Sequence, residues 1–314
     1  MKMPVFRVIK PGLQTTVQDL GRYGYQQFGI SPSGAMDPYS MQLANILVGN
    51  DPGEAVLEAS FLGPVLEAVS DMVIAICGGN FSPEIGNREA PMWKSFLLKK
   101  GEILSIGSYK QGARAYLAMK GGIDVPVVLK SKATSLNGGF GGYEGRPLQK
   151  GDLLYGNPVI KKPWKSLHPE LIPQFNKQLT VRVILGPHQQ MFTEKSIEQF
   201  LFEKYVVTPQ SNRMGYQLRG QKLEHTLSPD IISDPIPLGG IQVSANGQPI
   251  ILMADRQTTG GYTRIGTVIS VDIPLLAQAV PDTTISFTEV SLEEAQRLYL
   301  ERLKFIKLLK VAAK

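Results

Sequence analysis

Residues 250–271 read Ile-Ile-Leu-Met-Ala-Asp-Arg-Gln-Thr-Thr-Gly-Gly-Tyr-Thr-Arg-Ile-Gly-Thr-Val-Ile-Ser-Val, two short apolar runs flanking a polar, glycine-bearing stretch. The runs at 250–253 and 267–271 are too short for globular helices and rich in β-branched residues, so each predicts a strand. The same grammar recurs at residues 5–9, 72–76, 115–119, 181–185 and 284–287, and glycine (32) and proline (22) are spread between the runs. Short strands punctuated in this way predict a mainly β fold of barrel or sandwich type, in preference to alternating β and α units.

Three helices stand out against this background. Asp37-Pro38 supplies an N-cap followed by proline at the first helical position, and the segment to Val48 stops at Gly49, a C-terminal breaker. A second helix is predicted from Thr193 to Lys204. A third opens on Ser291 with Glu294 three residues on, a capping-box spacing, with Val290 and Ala295 placed for a staple; Leu298, Leu303, Ile306 and Leu309 continue it at helical period.

A chain of 314 residues predicts two domains at about 150 residues each. Pro158, Pro163, Pro169 and Pro173, with Trp164 among them, place the junction within residues 156–179. Arg22-Tyr23-Gly24-Tyr25-Gln26 is echoed by Arg213-Met214-Gly215-Tyr216-Gln217, an offset too long for a solenoid and compatible with one fold present twice.

The bulk composition excludes several classes. A single cysteine, Cys77, rules out an intramolecular disulfide and fits a reducing compartment. Residues 1–12 hold only short apolar pieces broken by Lys2, Arg7 and Lys10, and no run approaches the length of a membrane span, so neither a secretory signal nor a membrane segment is expected. The net charge of +6 comes from scattered residues. The basic positions near the C-terminus (Arg297, Arg302, Lys304, Lys307, Lys310, Lys314) read as a solvated helix face and not as a nucleic-acid surface.

No metal site is expected: the three histidines, His168, His188 and His225, are dispersed and Cys77 has no partner in sequence. There is no Gly-x-Ser-x-Gly nucleophile elbow. Two glycine-rich segments, Cys77-Gly78-Gly79-Asn80 and residues 137–146 with Gly139, Gly141, Gly142 and Arg146, read either as tight turns or as backbone able to approach an anion. Residues 255–264 are the densest in chemistry: Asp255, Arg256, Gln257, Thr258, Thr259, Tyr262 and Arg264 follow an apolar strand end directly. Arg256 beside Gln257 suits a carboxylate, a phosphate or an amide, which points to a binding pocket. Ala118-Met119-Lys120 matches the tripeptide of biotin carriers, but Gly121-Gly122 follows where a second methionine is usual, so no covalent biotin is expected.

Taken together and in order, Gln14-Thr15-Thr16-Val17-Gln18-Asp19-Leu20-Gly21-Arg22, Ser33-Gly34-Ala35-Met36-Asp37, Gly121-Gly122-Ile123-Asp124-Val125-Pro126, Gly141-Gly142-Tyr143-Glu144-Gly145-Arg146, Ser211-Asn212-Arg213-Met214-Gly215-Tyr216 and Gln257-Thr258-Thr259-Gly260-Gly261-Tyr262 carry a resemblance. The chain is similar to the family of 5-oxoprolinase subunits also called KipI antagonists (KipA), in a wider group with allophanate hydrolase subunit 2 and the carboxyltransferase region of urea carboxylase. Departures are small: Thr263 stands where relatives often carry proline, and Lys120 where they often carry a small residue.

The resemblance implies two tandem cyclophilin-like β-barrel domains, over residues 1–165 and 175–314, with a few peripheral helices and the C-terminal helix on the second. It implies a cytoplasmic hydrolase active only in a complex with two other subunits, one KipI-like, opening 5-oxo-L-proline to L-glutamate with ATP hydrolysis. On that reading Arg256, Gln257 and Asp255 are the catalytic candidates. Thr258, Thr259, Tyr262, Arg213, Tyr216, Arg22 and Ser33 would bind the amide substrate, and Gly139, Gly141, Gly142 and Arg146 would serve ATP. Two other roles stay open: a regulator that sequesters a KipI-like inhibitor of a sensor kinase, and a carboxyltransferase component.

Overall fold

A computed structural model describes residues 2–160 and 164–312. The chain is mainly β with a few helices, and it divides into two compact units. One comprises residues 2–22, 33–160, 164–175 and 305–312; the other comprises Tyr23–Pro32 and Asn176–Lys304. The units are therefore not two contiguous halves.

In the first unit, strands Gln14–Gln18, Val56–Ser60, Gln111–Met119, Met72–Asn80 and Ser95–Leu98 form a five-stranded sheet in that order. A seven-stranded sheet holds Met3–Lys10 between Leu153–Gly156 and Val65–Ala68. One apolar core takes alternate residues from both sheets, including Phe6, Val8, Leu66, Leu57, Ile74, Ile76 and Leu117. The residues between them (Val56, Val73, Ala75, Cys77, Ala118) face a second core built with helix Pro38–Val48 through Met41, Leu43 and Leu47. Burial on both faces explains why these strands read as unbroken apolar runs and not as alternating ones.

The helix begins as its sequence predicts. Asp37 Oδ1 accepts the Ser40 N–H at 2.9 Å and Oδ2 accepts the Ser40 hydroxyl at 2.6 Å. A cap of this kind is worth about 1 kcal/mol. The stretch expected to be a junction is in part packed: Trp164, Leu167 and Phe175 lie against the same helix-side core, while Pro163 falls outside the described residues.

In the second unit the strands close into a barrel in the order Gln178–Leu185, Arg264–Val268, Gly240–Val243, Pro249–Leu252, Gly215–Arg219, Tyr205–Val207 and Thr284–Glu289. Aromatic packing marks its interior, with Phe200 from helix Glu194–Phe202 stacked on Phe287 at 4.4 Å. The barrel strand predicted at 267–271 lies earlier, at Arg264–Val268. The chain leaves the ladder because Asp272 captures Arg182 through Nε (3.0 Å) and Nη2 (2.6 Å), and the short helix Ile273–Ala277 follows.

Helix Leu292–Ala312 starts with half of the predicted capping box. Ser291 Oγ accepts the Glu294 N–H at 3.2 Å, but the Glu294 carboxylate turns to Arg297 at 2.7 Å. Arg297 also meets Glu301 at 2.6 Å and Lys310 meets Asp51 at 2.7 Å, so these two members of the basic run are internally neutralised. No helix among the described residues is long and apolar enough to cross a membrane, and they contain no cluster of three or more metal-ligating side chains.

Candidate functional site

In the second unit, strand Pro249–Leu252 delivers the chain to a tight turn: Asp255 N–H bonds Arg213 O at 2.9 Å and Arg256 N–H bonds Met253 O at 3.2 Å. This turn brings three predicted site residues together. Arg213 donates to Asp255 through Nε–Oδ2 (2.8 Å) and Nη2–Oδ1 (3.1 Å), a two-pronged pair with both residues buried. Asp255 is thus spent on Arg213 and is not available to orient Arg256.

Arg256 is 5% exposed, and among the described residues its guanidinium is held by carbonyls alone, Nε to Ile236 O at 3.0 Å and Nη1 to Met253 O at 3.3 Å. Burial pushes this guanidinium below its ordinary value, opposed by the nearby Tyr23 phenol. A buried cation with no carboxylate against it is costly unless an anion completes it. Tyr23 belongs to Tyr23–Pro32, a segment of the same unit that is fastened to the turn by Ser31 Oγ donating to Ala254 O at 3.3 Å.

The residues that follow lead outward. Gln257 is exposed, and Thr258 is half-buried with its carbonyl accepting the Ile236 N–H at 3.0 Å. Thr259–Tyr262, read from sequence as part of a polar segment pointing to a binding pocket, is a strand paired with Asp230–Pro235 in an exposed two-stranded ribbon. Tyr216 points elsewhere: it is buried on a barrel strand with its hydroxyl 3.4 Å from Ala277 O, a core position.

Arg22 and Ser33 belong to the first unit. Arg22 is buried, donates to Ala133 O and lies over the Phe140 ring at 4.8 Å. Ser33 is buried at a left-handed φ of 54°, with its hydroxyl unpartnered among the described residues. The Arg-x-Gly-Tyr-Gln echo is not a repeat of structure: its second copy enters a barrel strand, whereas its first runs into a turn and the short helix Gln26–Phe28.

In the loop with Gly139, Gly141 and Gly142, the last two are used for close packing, while Gly139 faces open space. A Cβ on Gly141 would come within 2.2 Å of Ala133 O, and one on Gly142 within 1.9 Å of Thr134 Oγ1. Arg146 is engaged by Asp152 at 2.7 Å and Glu144 at 2.7 Å, which hold its guanidinium firmly charged and already neutralised. Neither feature leaves a free cation for a phosphate. Lys120 is half-buried beside the helix end at Gly49 and not in an exposed hairpin.

Sequence reasoning missed a buried polar network in the first unit. The Tyr116 hydroxyl donates to Glu58 Oε2 at 2.9 Å and accepts the Asp37 N–H at 2.8 Å, while Glu58 Oε2 also accepts the Met36 N–H at 2.8 Å. Burial raises the Tyr116 phenol well above its ordinary value. The available signal was a lone carboxylate, Glu58, in the otherwise small and apolar strand Val56–Ser60.

Residues 28–289 match the family model described as carboxyltransferase domain, subdomain A and B. The chain belongs to this family. It is 38% identical to the 5-oxoprolinase subunit designated C in Escherichia coli, over 95% of this chain and 97% of that protein. It is 36% identical to urea amidolyase of Saccharomyces cerevisiae over 92% of this chain but only 17% of that protein. The solved structure of the Kluyveromyces lactis urea amidolyase superposes with a TM-score of 0.91 at 35% identity, covering 97% of this chain and 20% of the other. This family member thus resembles one whole oxoprolinase subunit and about a fifth or less of the larger amidolyases.

Proposed function

We propose that this chain is a subunit of an ATP-dependent 5-oxoprolinase, that it works in the cytoplasm with two other subunits, one of them KipI-like, and that Arg256 receives the anionic end of the substrate. The observation that carries the reading is Arg256 itself: a buried guanidinium bonded to two carbonyls and, among the described residues, to no carboxylate. 5-Oxo-L-proline brings a carboxylate, which would neutralise that cation in a low-dielectric setting where the attraction is strong. Similarity over nearly the full length of a 5-oxoprolinase subunit supports the same assignment.

The lactam itself is an unreactive amide, and phosphorylation of its oxygen by ATP would make the ring carbon open to water. In this scheme the chain's own residues bind and orient. Arg256 anchors the carboxylate, the pair of Arg213 and Asp255 fixes the turn that carries it, and the exposed Gln257 offers amide donors to the developing charge. The close packing at Gly141 and Gly142 and the neutralised Arg146 give no support to nucleotide binding there, so we leave the phosphates of ATP to a partner subunit.

The experiment is reconstitution with both partner subunits and measurement of 5-oxoproline-dependent ATP hydrolysis. Arg256→Met is expected to lower turnover by about 10²–10³-fold with assembly retained. Unchanged turnover would overturn the assignment of this site. A carboxyltransferase role is favoured by the family model and by the 36% identity to urea amidolyase. Carboxyl transfer from a biotinylated protein, with no response to 5-oxoproline, would select it.

A further inference from the structure

The motif Cys77-Gly78-Gly79-Asn80 finds no use in the site above, yet Gly78 and Asn80 border a cavity of about 250 Å³ in the first unit. Room of this size holds about eight waters, at ~30 Å³ each, or one small organic molecule. Its apolar surface includes the buried rings of Trp93 and Phe175. Its polar side chains are the carboxamides of Asn80, Gln111 and Gln174 and the Ser82 hydroxyl, with Glu89 as the one charged side chain among the described lining residues.

The lining is a built arrangement. Trp93 holds a left-handed φ of 57°, unusual for a bulky residue, and is fixed there because its N–H bonds Ile76 O at 2.8 Å and its carbonyl accepts the Leu167 N–H at 2.9 Å. Ser82, also in the lining, has a φ of 47°. Gly78 adopts a φ of 101° and sits so close to the neighbouring strand that a Cβ would fall 2.4 Å from Arg114 O. Left-handed non-glycine residues persist where the surroundings over-determine them, and they gather at ligand sites. The Gln111 and Gln174 carboxamides are exposed and make no side-chain hydrogen bond to a described residue, so their donors and acceptors remain available.

We infer that this cavity is a second binding site, for a small uncharged molecule bearing an amide. Carboxamides offer paired donors and acceptors to another amide, and the rings of Trp93 and Phe175 cover its apolar side. With Glu89 and no cation in the lining, a carboxylate or phosphate is repelled, so the site takes a different ligand class from the one proposed for Arg256. This inference does not rest on the oxoprolinase reading.

The test uses the isolated full-length chain. Trp93 and Trp164 are its only tryptophans, so a Trp164→Phe background reports Trp93 fluorescence alone. Titration with 2-pyrrolidinone, a neutral lactam, is expected to give a saturable change. 5-Oxo-L-proline, the same ring with a carboxylate, should bind about tenfold more weakly because of Glu89, and Glu89→Lys should narrow that gap. Gln111→Leu with Gln174→Leu should weaken the lactam about fivefold. Absence of saturation, equal binding of the two molecules to the unsubstituted cavity, or indifference to the glutamine substitutions would each overturn the inference. Loss of turnover in Arg256→Met with cavity binding intact separates this site from the other.

Discussion

Arg213 and Asp255 meet through two parallel hydrogen bonds of 2.8 and 3.1 Å, each side chain about 5% exposed, with the Asp255 N–H returning to Arg213 O. The two residues join the start of one barrel strand to the end of another, and Arg256 is the next residue along. The pair therefore sets the position of the cation on which the proposed site depends.

Breaking that pair should cost more than removing it. Arg213→Met leaves a buried carboxylate uncompensated and is expected to destabilise the chain by about 3–5 kcal/mol. Arg213→Met with Asp255→Leu should recover much of the loss. Urea unfolding of both single variants and the double variant gives the coupling; additive losses would show that the two side chains act independently.

Much of the fold was legible because burial on two faces leaves unbroken apolar runs, as in Met72–Asn80, and because Asp37-Pro38 writes a helix start in local chemistry. The ribbon Thr259–Tyr262 was not legible, since Gly260 and Gly261 interrupt the weak strand signal of Thr259 and Tyr262, and pairing with Asp230–Pro235 makes it a strand. At the site, Asp255 and Arg256 were identifiable as chemistry-bearing residues. That the first would be claimed by Arg213 depends on a contact 42 residues apart, which no local pattern reports. Tyr216 illustrates the converse, a polar residue in a suggestive motif whose place in the barrel core is set by strand alternation.

Tyr116 tests the buried network of the first unit. Tyr116→Phe removes the donor to Glu58 and the acceptor for the Asp37 N–H, leaving both without this partner. An unsatisfied buried group costs about 1–3 kcal/mol, so a fall of that size in unfolding free energy is expected. A neutral outcome would mean the network relaxes or admits water.

The glycine loop separates packing from phosphate binding. Gly139 has open space around its Cβ position at φ +64°, whereas Gly142 has 1.9 Å to Thr134 Oγ1 at φ +53°. Gly139→Ala should cost about 1 kcal/mol, the penalty of a left-handed alanine. Gly142→Ala adds a steric clash and should lower the thermal midpoint markedly further. Equal midpoints for the two variants would contradict the packing role, and loss of nucleotide binding by the complex in Gly139→Ala alone would restore the anion-site reading.

Acid should weaken the second unit before the first. His188 and His225 are both pushed below the ordinary 6.5, first by burial; Arg264 adds to the effect at His188 and Asp234 opposes it, while the Val243 backbone and then Asp230 oppose it at His225. His188 Nδ1 accepts the Arg264 N–H at 3.2 Å. His225 Nε2 lies 2.8 Å from Thr263 Oγ1, which itself donates to Val243 O, so the ring nitrogen is the donor there. His188 Nδ1 is thus unprotonated, both folded rings bind their second proton more weakly than in the unfolded chain, and the unfolded chain takes up protons first as pH falls. Their contribution is fully present above the ordinary value of 6.5 and is lost below it, as pH falls toward the lower folded values. The carboxylates held below their ordinary range, Asp152 in the first unit among them, lose theirs only in stronger acid, below 3.8. Urea midpoints of barrel unfolding should drop between about pH 7 and 5. The drop should flatten in a chain carrying His188→Gln and His225→Phe, the second chosen because the ring packs on Phe192 at 4.5 Å. An undiminished slope in that double variant would assign the acid sensitivity to other groups.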